Sequence, residues 1–331
     1  INLTRTGTTN SKRGYNLVGN PYPSYLNWDL VDKSNVSSTM WYRTKNKANT
    51  MVFDTYNATS GLGTNNNGIG KVTGLIPPMQ AFWVLVEGDG NSGTLQFNNT
   101  MRSHQSNNLL KNNSGQDVFR LQIANGNNTD ETLIVLNDNA ENCLDAYDSE
   151  KMFAEDNALP QIYSFADTKP ITINGMKIPI TETEIPLGIS IPESGKYTIS
   201  MTSDESFLNE KILLEDKLLQ KSIDLTKQKY EFRADSALRN NNRFVLRLKT
   251  GTEATKSKIR QNDISIFIQN KMIVVSTEET NGIITVSDVL GRVLISQKAT
   301  NSKTMFAVPS GLYFVKVQTD SSVELKELVN Q

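Results

Sequence analysis

Along most of the chain, apolar and polar residues alternate with period two. Ala81-Phe82-Trp83-Val84-Leu85-Val86, Val118-Phe119-Arg120-Leu121-Gln122-Ile123, Thr132-Leu133-Ile134-Val135-Leu136 and Arg243-Phe244-Val245-Leu246-Arg247-Leu248 carry the pattern most clearly. Successive side chains of an extended strand point to opposite faces, so this period predicts strands packed on one face or both. Between the strands lie clusters of Asn, Gly, Asp and Ser, such as Thr64-Asn65-Asn66-Asn67-Gly68, Asn125-Gly126-Asn127-Asn128 and Asn240-Asn241-Asn242. These residues tolerate tight turns and positive φ. Phe207 to Leu225 has the composition of a helix, yet Ile212-Leu213-Leu214-Glu215-Asp216-Lys217 reads equally well as a strand and its turn, so a hairpin is expected there. The expected class is all-β, built as tandem sandwiches of jelly-roll or immunoglobulin-like type.

Breaks in the alternation divide the chain. A polar stretch from Ser103 to Gln116 predicts a boundary that separates a sandwich over residues 1–112 from a second over 113–250. The small, polar run Thr250-Gly251-Thr252-Glu253-Ala254-Thr255-Lys256-Ser257 lacks a large core-forming side chain, so 251–262 is expected to be a linker. The remaining residues, 263–331, suffice for a small seven-strand sandwich near the lower size limit of an independently stable domain.

Composition narrows the chemistry. The 331 residues hold 34 Lys plus Arg against 35 Asp plus Glu, a net charge of −1, which supplies no basic field for nucleic acid or anionic membrane. No apolar run approaches the roughly 18–20 residues of a membrane-spanning helix. The single cysteine, Cys143, forbids an intrachain disulfide, and the single histidine, His104, removes most imidazole-based sites. Ile1-Asn2-Leu3-Thr4-Arg5 carries neither an initiator Met nor the zones of a secretory signal, which suggests a processed chain or a fragment.

The last region holds Val286-Ser287-Asp288-Val289-Leu290-Gly291-Arg292-Val293-Leu294, which reads as strand, tight turn, strand, with Gly291 supplying positive φ. Next comes Val308-Pro309-Ser310-Gly311-Leu312-Tyr313-Phe314-Val315-Lys316-Val317, a turn set by Pro309 and Gly311 before a strand whose Tyr313, Val315 and Val317 share one face. With Ile264-Ser265-Ile266-Phe267-Ile268 before them and Val323 to Val329 after, these D-x-x-G-R and P-x-G-x-Y elements resemble the type IX secretion system C-terminal sorting domain. The sorting-signal residues implied by that resemblance are Asp288, Gly291, Arg292, Pro309, Gly311, Tyr313 and Lys326. It also implies an immunoglobulin-like fold for this domain and passage through the periplasm to the cell surface. The implied partners are the type IX machinery, its sortase and, after processing, surface lipopolysaccharide. Glu324 and Glu327 stand where the family usually has a cleaner basic and apolar strand around Lys326. The upstream segments Gly14 to Ser24, Ile76 to Val84 and Phe97 to Arg102 resemble regions that precede this sorting domain in large surface proteins.

Catalytic devices are sparse. A nucleophile with an imidazole base would have to use His104, which sits in the polar run Arg102-Ser103-His104-Gln105-Ser106 without a G-x-S-x-G elbow, so an exposed or hydrogen-bonded structural role is expected. Cys143 between Asn142 and Leu144 reads as a small buried hydrophobe. Gly61 to Lys71 is glycine-rich, but a phosphate loop needs Gly at 65, which is Asn, and a hydroxyl at 72, which is Val; a long flexible hairpin loop is expected instead. Asp138, Glu141, Asp145 and Asp148 offer oxygen ligands suited to calcium, at a spacing unlike the helix-loop-helix calcium loop, so a solvated loop is the expectation. Tyr15, Tyr22, Tyr25, Trp28, Trp41 and Tyr42 could stack on sugars, although core packing accounts for them more simply. Asp235-Ser236-Ala237 resembles the three-residue acceptor pattern of bacterial O-glycosylation in exported proteins.

The expectation is therefore a non-catalytic surface or secreted segment of adhesion or scaffold type, with no cofactor and no metal, exported through its C-terminal domain. The alternative is the C-terminal accessory region, possibly carbohydrate-binding, of a larger secreted hydrolase.

Overall fold

The computed structural model describes residues 1–6, 13–88, 92–104, 117–126, 128–155, 158–179, 181–203, 211–249, 265–269, 272–276, 282–298, 303–318 and 323–330. The chain is all-β and sandwich-type; among these residues the only helical pieces are two single 3-10 turns, Trp28–Leu30 and Asn99–Met101. It separates into two compact units, Ile1–Thr250 and Gly251–Gln331. The boundary expected near residue 112 and the 251–262 linker lie outside the described residues.

The larger unit begins with a five-stranded sheet in the order Tyr15–Gly19, Ala81–Val86, Val36–Lys45, Met51–Asn57, Leu62–Gly63. Two three-stranded sheets accompany it, one made of Asn2–Thr4, Ser92–Gln96 and Asp32–Ser34, the other of Arg102–Ser103, Tyr25–Asn27 and Leu75–Ile76. Their shared core is built on Leu26, Trp28, Met40, Ile76, Phe82 and Leu95. The Trp28 ring meets Phe82 edge-on with centroids 5.5 Å apart, and its indole N–H donates to the Ser38 carbonyl at 2.7 Å. A large ring thus buries its area while its polar tip is satisfied.

An eleven-stranded sheet follows, an open path of strands folded over around one core. Strands from distant parts of its order meet across one core: Phe232, whose ring stacks on Tyr197 of the neighbouring strand at 5.7 Å, reaches Phe244 at 5.2 Å. The predicted hairpin is present, Lys211–Asp216 pairing antiparallel with Lys221–Asp224. Asp216 accepts the backbone N–H groups of Leu218 and Leu219, which satisfies the turn locally. The strand pair Asp117–Asn125 and Asn128–Leu136 is buried on both faces. Phe119, Leu121 and Ile123 enter the sandwich core, whereas Val118, Leu133 and Val135 form a second cluster on the opposite face, where Leu62 of the five-stranded sheet packs. The two sheet assemblies are joined back to face by this second cluster.

The smaller unit has seven strands among its described residues, in two sheets. One holds Ser265–Gln269, Met272–Ser276 and Lys303–Ala307; the other runs Val293–Lys298, Ile283–Asp288, Gly311–Gln318, Val323–Asn330. Both sheets feed one core, with Ile266, Ile273, Val275 and Phe306 facing Ile284, Val286, Tyr313, Val315 and Val317. The alternation expected for Gly311–Gln318 is observed, since Tyr313, Val315 and Val317 are buried while Lys316 and Gln318 are exposed.

Candidate functional site

Six of the seven residues singled out in the smaller unit fall into two turns that the sheet places side by side. In the first, Gly291 has φ 78°, and a Cβ there would meet nothing within 4 Å, so its requirement is conformational rather than steric. Asp288 closes the turn: its carboxylate accepts the N–H of Leu290 at 2.9 Å and of Arg292 at 3.0 Å, and the Arg292 side chain at 2.7 Å. Partial desolvation pushes the Asp288 carboxyl up, but hydrogen bonds from the Arg292 side chain and from both backbone N–H groups outweigh it and hold the group below the usual carboxylate range. In the second turn, the Tyr313 hydroxyl donates to the Pro309 carbonyl at 2.9 Å, and its ring lies over Gly311, where a Cβ would stand 3.4 Å from the ring. Asn330, on the last strand, donates to the carbonyls of Val308 at 2.7 Å and Pro309 at 3.1 Å.

Register joins the two turns. Asp288 is paired directly with Tyr313, and Tyr313 with Leu328, so one residue from each turn element stands in a single row across three strands. Lys326 pairs with Val315 two rows away, is exposed, and has no hydrogen bond to either turn among the described residues. Val289, Leu290, Val293 and Leu294 around the first turn are exposed apolar residues.

In the larger unit the three upstream segments also converge. The Asn20 backbone N–H donates to the Gln80 carbonyl at 3.0 Å, and its side-chain amide reaches the carbonyls of Ser24 at 2.9 Å, Ile76 at 3.1 Å and Pro77 at 2.9 Å. Arg102 donates to the Ser24 hydroxyl at 2.8 Å and lies over the Tyr22 ring. One buried asparagine therefore ties two Pro-rich turns together. Burial of its amide is offset because its hydrogen-bonding groups are occupied.

A cleft of about 330 Å³ opens beside the acidic stretch, lined by Arg5, Trp41, Asp145, Asp148, Glu150 and Lys169 among others. The carboxylates of Asp145, Asp148 and Glu150 are engaged, whereas Glu87, which also lines the cleft, has no side-chain partner among the described residues. Asp145 accepts the N–H groups of Tyr147 and Glu141, Asp148 those of Gly175 and Asp145, and Glu150 is paired with Lys169. Desolvation raises Asp148 to about 7 against the two backbone hydrogen bonds, with the Asp145 and Asp167 charges adding to the rise. The stretch is less solvated than expected: Ala140, Asp148 and Ser149 are buried, and Asn57 and Thr39 of the five-stranded sheet both bond Ser149. Among the described residues no group of three or more His, Cys, Asp and Glu is arranged to hold a metal ion. Cys143 is exposed, contrary to the buried role expected, because this stretch turns it outward while Ala140 takes the interior position. His104 is exposed, as expected.

The glycine-rich segment also differs from its reading as a flexible loop. Thr64 and Asn66 are buried, and fully buried Asp54 accepts four donors from it: the Thr64 hydroxyl at 3.0 Å, the Asn66 and Asn67 N–H groups at 2.6 and 3.2 Å, and the Asn67 amide at 2.5 Å. Desolvation pushes Asp54 up to about 6 in spite of these bonds. From the other side Glu131 accepts the Asn65 N–H at 2.6 Å and pairs with Arg120 at 3.0 Å, while Arg120 also donates to the Gly63 carbonyl. The segment is a polar plug between sheets. Of the six aromatics weighed as a sugar platform, Trp28, Trp41 and Tyr42 are buried and the other three are half-buried.

The fold and these turns define a two-unit all-β protein in which a larger polar-stitched assembly precedes a small seven-strand sandwich. The chain belongs to the family described as Domain of unknown function (DUF8693), which matches residues 2–248 and so covers the larger unit. No curated protein matches the chain.

Proposed function

We propose that the chain is a non-catalytic segment of a surface or secreted protein, of adhesion or scaffold type, and that residues 263–331 are its export label for type IX secretion. The single observation behind this reading is the row Asp288, Tyr313, Leu328, in which the two recognised sequence elements are brought together on paired strands of a compact sandwich. Residues that close turns around a short buried row give a recognisable surface on a small unit, and a label has no need of a reaction centre. The family match ends at residue 248, before the described strands of this unit begin, which supports treating the smaller unit as a separate module. In the larger unit the cleft carboxylates Asp145, Asp148 and Glu150 are occupied by backbone N–H groups or by Lys169, an arrangement suited to holding loops.

Deletion of residues 263–331 from the exported precursor is expected to leave the remainder in the periplasm, read by protease accessibility on intact cells and by fractionation. Undiminished surface display of the truncated chain would overturn the reading. Turnover of a substrate by the isolated polypeptide in a glycosidase panel would instead favour an enzymatic role.

A further inference from the structure

We propose that Ser236 carries an O-linked sugar, transferred from a phosphate-activated sugar donor once the chain has crossed the inner membrane. The inference rests on the export reading above. The sequence contains five Asp-Ser or Asp-Thr pairs, at 54–55, 148–149, 167–168, 235–236 and 320–321, and among the four that the structure describes, burial sets aside those at 54–55 and 148–149. Thr55 and Ser149 are each 1 % exposed, and the Ser149 hydroxyl is held by Thr39 and Asn57. Thr168 is exposed, but Asp167 before it is engaged with the Leu144 N–H and Lys169 after it is paired with Glu150. The pair at 320–321 lies outside the described residues.

Asp235, Ser236 and Ala237 are all exposed. They form the connection between the strands Tyr230–Ala234 and Leu238–Lys249, which lie in different layers of the sandwich. Neither the Asp235 carboxylate nor the Ser236 hydroxyl has a hydrogen-bond partner among the described residues, so both are free for a transferase. Ala234 is buried at one end, and the small Ala237 side chain leaves room beside the hydroxyl. In the transfer, a bond forms between Ser236 Oγ and the anomeric carbon of the sugar. The bond from that carbon to the donor phosphate breaks, the phosphate leaves with the electron pair, and the hydroxyl proton passes to a base of the transferase.

Trypsin cuts after Arg233 and Arg239, which isolates Ala234-Asp235-Ser236-Ala237-Leu238-Arg239 as one fragment for mass spectrometry. In chain recovered from the envelope of the bacterium that makes it, this fragment is expected to carry a sugar mass. S236A and D235N should each remove that mass without moving the melting midpoint, and T168A should leave it in place. A bare fragment from chain that intact-cell protease digestion locates on the surface would overturn the sugar while leaving the export reading standing. Retention of the chain in the cytoplasm would overturn both.

Discussion

The two units solve the same problem, holding β-layers together, with different materials. The larger one spreads several apolar clusters over its layers and places buried ion pairs between them: Lys151 meets both Asp130 oxygens at 2.6 and 2.7 Å, and Arg243 meets Asp216 at 2.8 Å, with side chains 6 % exposed or less. The smaller has one apolar core, and its one described ion pair, Asp288 with Arg292, is at the surface. Buried charges fix a geometry because an unpaired partner is costly, whereas a surface pair adds little beyond shaping a turn. The larger unit is therefore sensitive to loss of polar partners, and the smaller to loss of core volume and turn conformation.

That contrast can be broken most forcefully at Lys151. Lys151→Met leaves Asp130 buried without its cation and is expected to cost about 3–5 kcal/mol. All three tryptophans, Trp28, Trp41 and Trp83, belong to the larger unit, so their fluorescence during urea unfolding reports this loss alone. Adding Asp130→Leu should recover part of it. Ile284→Ala in the smaller unit should cost about 2–5 kcal/mol by loss of transfer free energy and cavity formation, read by circular dichroism with the tryptophan transition unchanged. Gly291→Val should cost about 1 kcal/mol or more, because a β-branched residue is forced to φ 78° while its side chain meets open space. Tyr313→Phe should cost about 0.5–1.5 kcal/mol through the lost bond to Pro309, with the ring still packed.

The dependence on pH has opposite signs for the raised and the lowered carboxyls. Asp54 and Asp148 rise from 3.8 to about 6 and about 7 on folding, so the folded larger unit binds more protons than the unfolded chain within that window. Their contribution is complete below the unfolded value and is lost as pH rises through 6 to 7. Asp288 is held below 3.8, so its contribution to the smaller unit is present above that value and is lost as pH falls below it. Asp216, also held low where the hydrogen bonds of Arg243 and Tyr230 outweigh desolvation, adds an acid-side loss to the larger unit. Urea midpoints measured from pH 5 to pH 8 should fall for the tryptophan transition, and Asp148→Asn should flatten that fall.

Much of the architecture was legible in the sequence because alternation and turn chemistry are local signals. The hairpin at 211–224, the one-sided burial of Gly311–Gln318 and the positive φ of Gly291 follow from a few neighbouring residues. The stitching was not legible. Arg120 occupies the polar position of an alternating strand and reads as solvent-facing, yet it is 8 % exposed, because the opposite sheet supplies Gly63 and the neighbouring strand supplies Glu131. Asp54 and Asn66 look like ordinary turn residues for the same reason: their partners lie 10 or more positions away in the chain. Residue-type preference favours a buried Cys143, but it says nothing of which way a loop turns, and the side chain is exposed.

The strand Leu238–Lys249 runs twelve residues, bonded on one side to Thr183–Ile191 and on the other to Lys211–Asp216. Tension directed along this strand loads both of its ladders in shear, many bonds at once. Asn2–Thr4 at the opposite end is a three-residue strand paired only with Ser92–Gln96, and a pull there meets few bonds. Against a pull along the strand, the twelve-residue strand is held by more ladder bonds than the three-residue one.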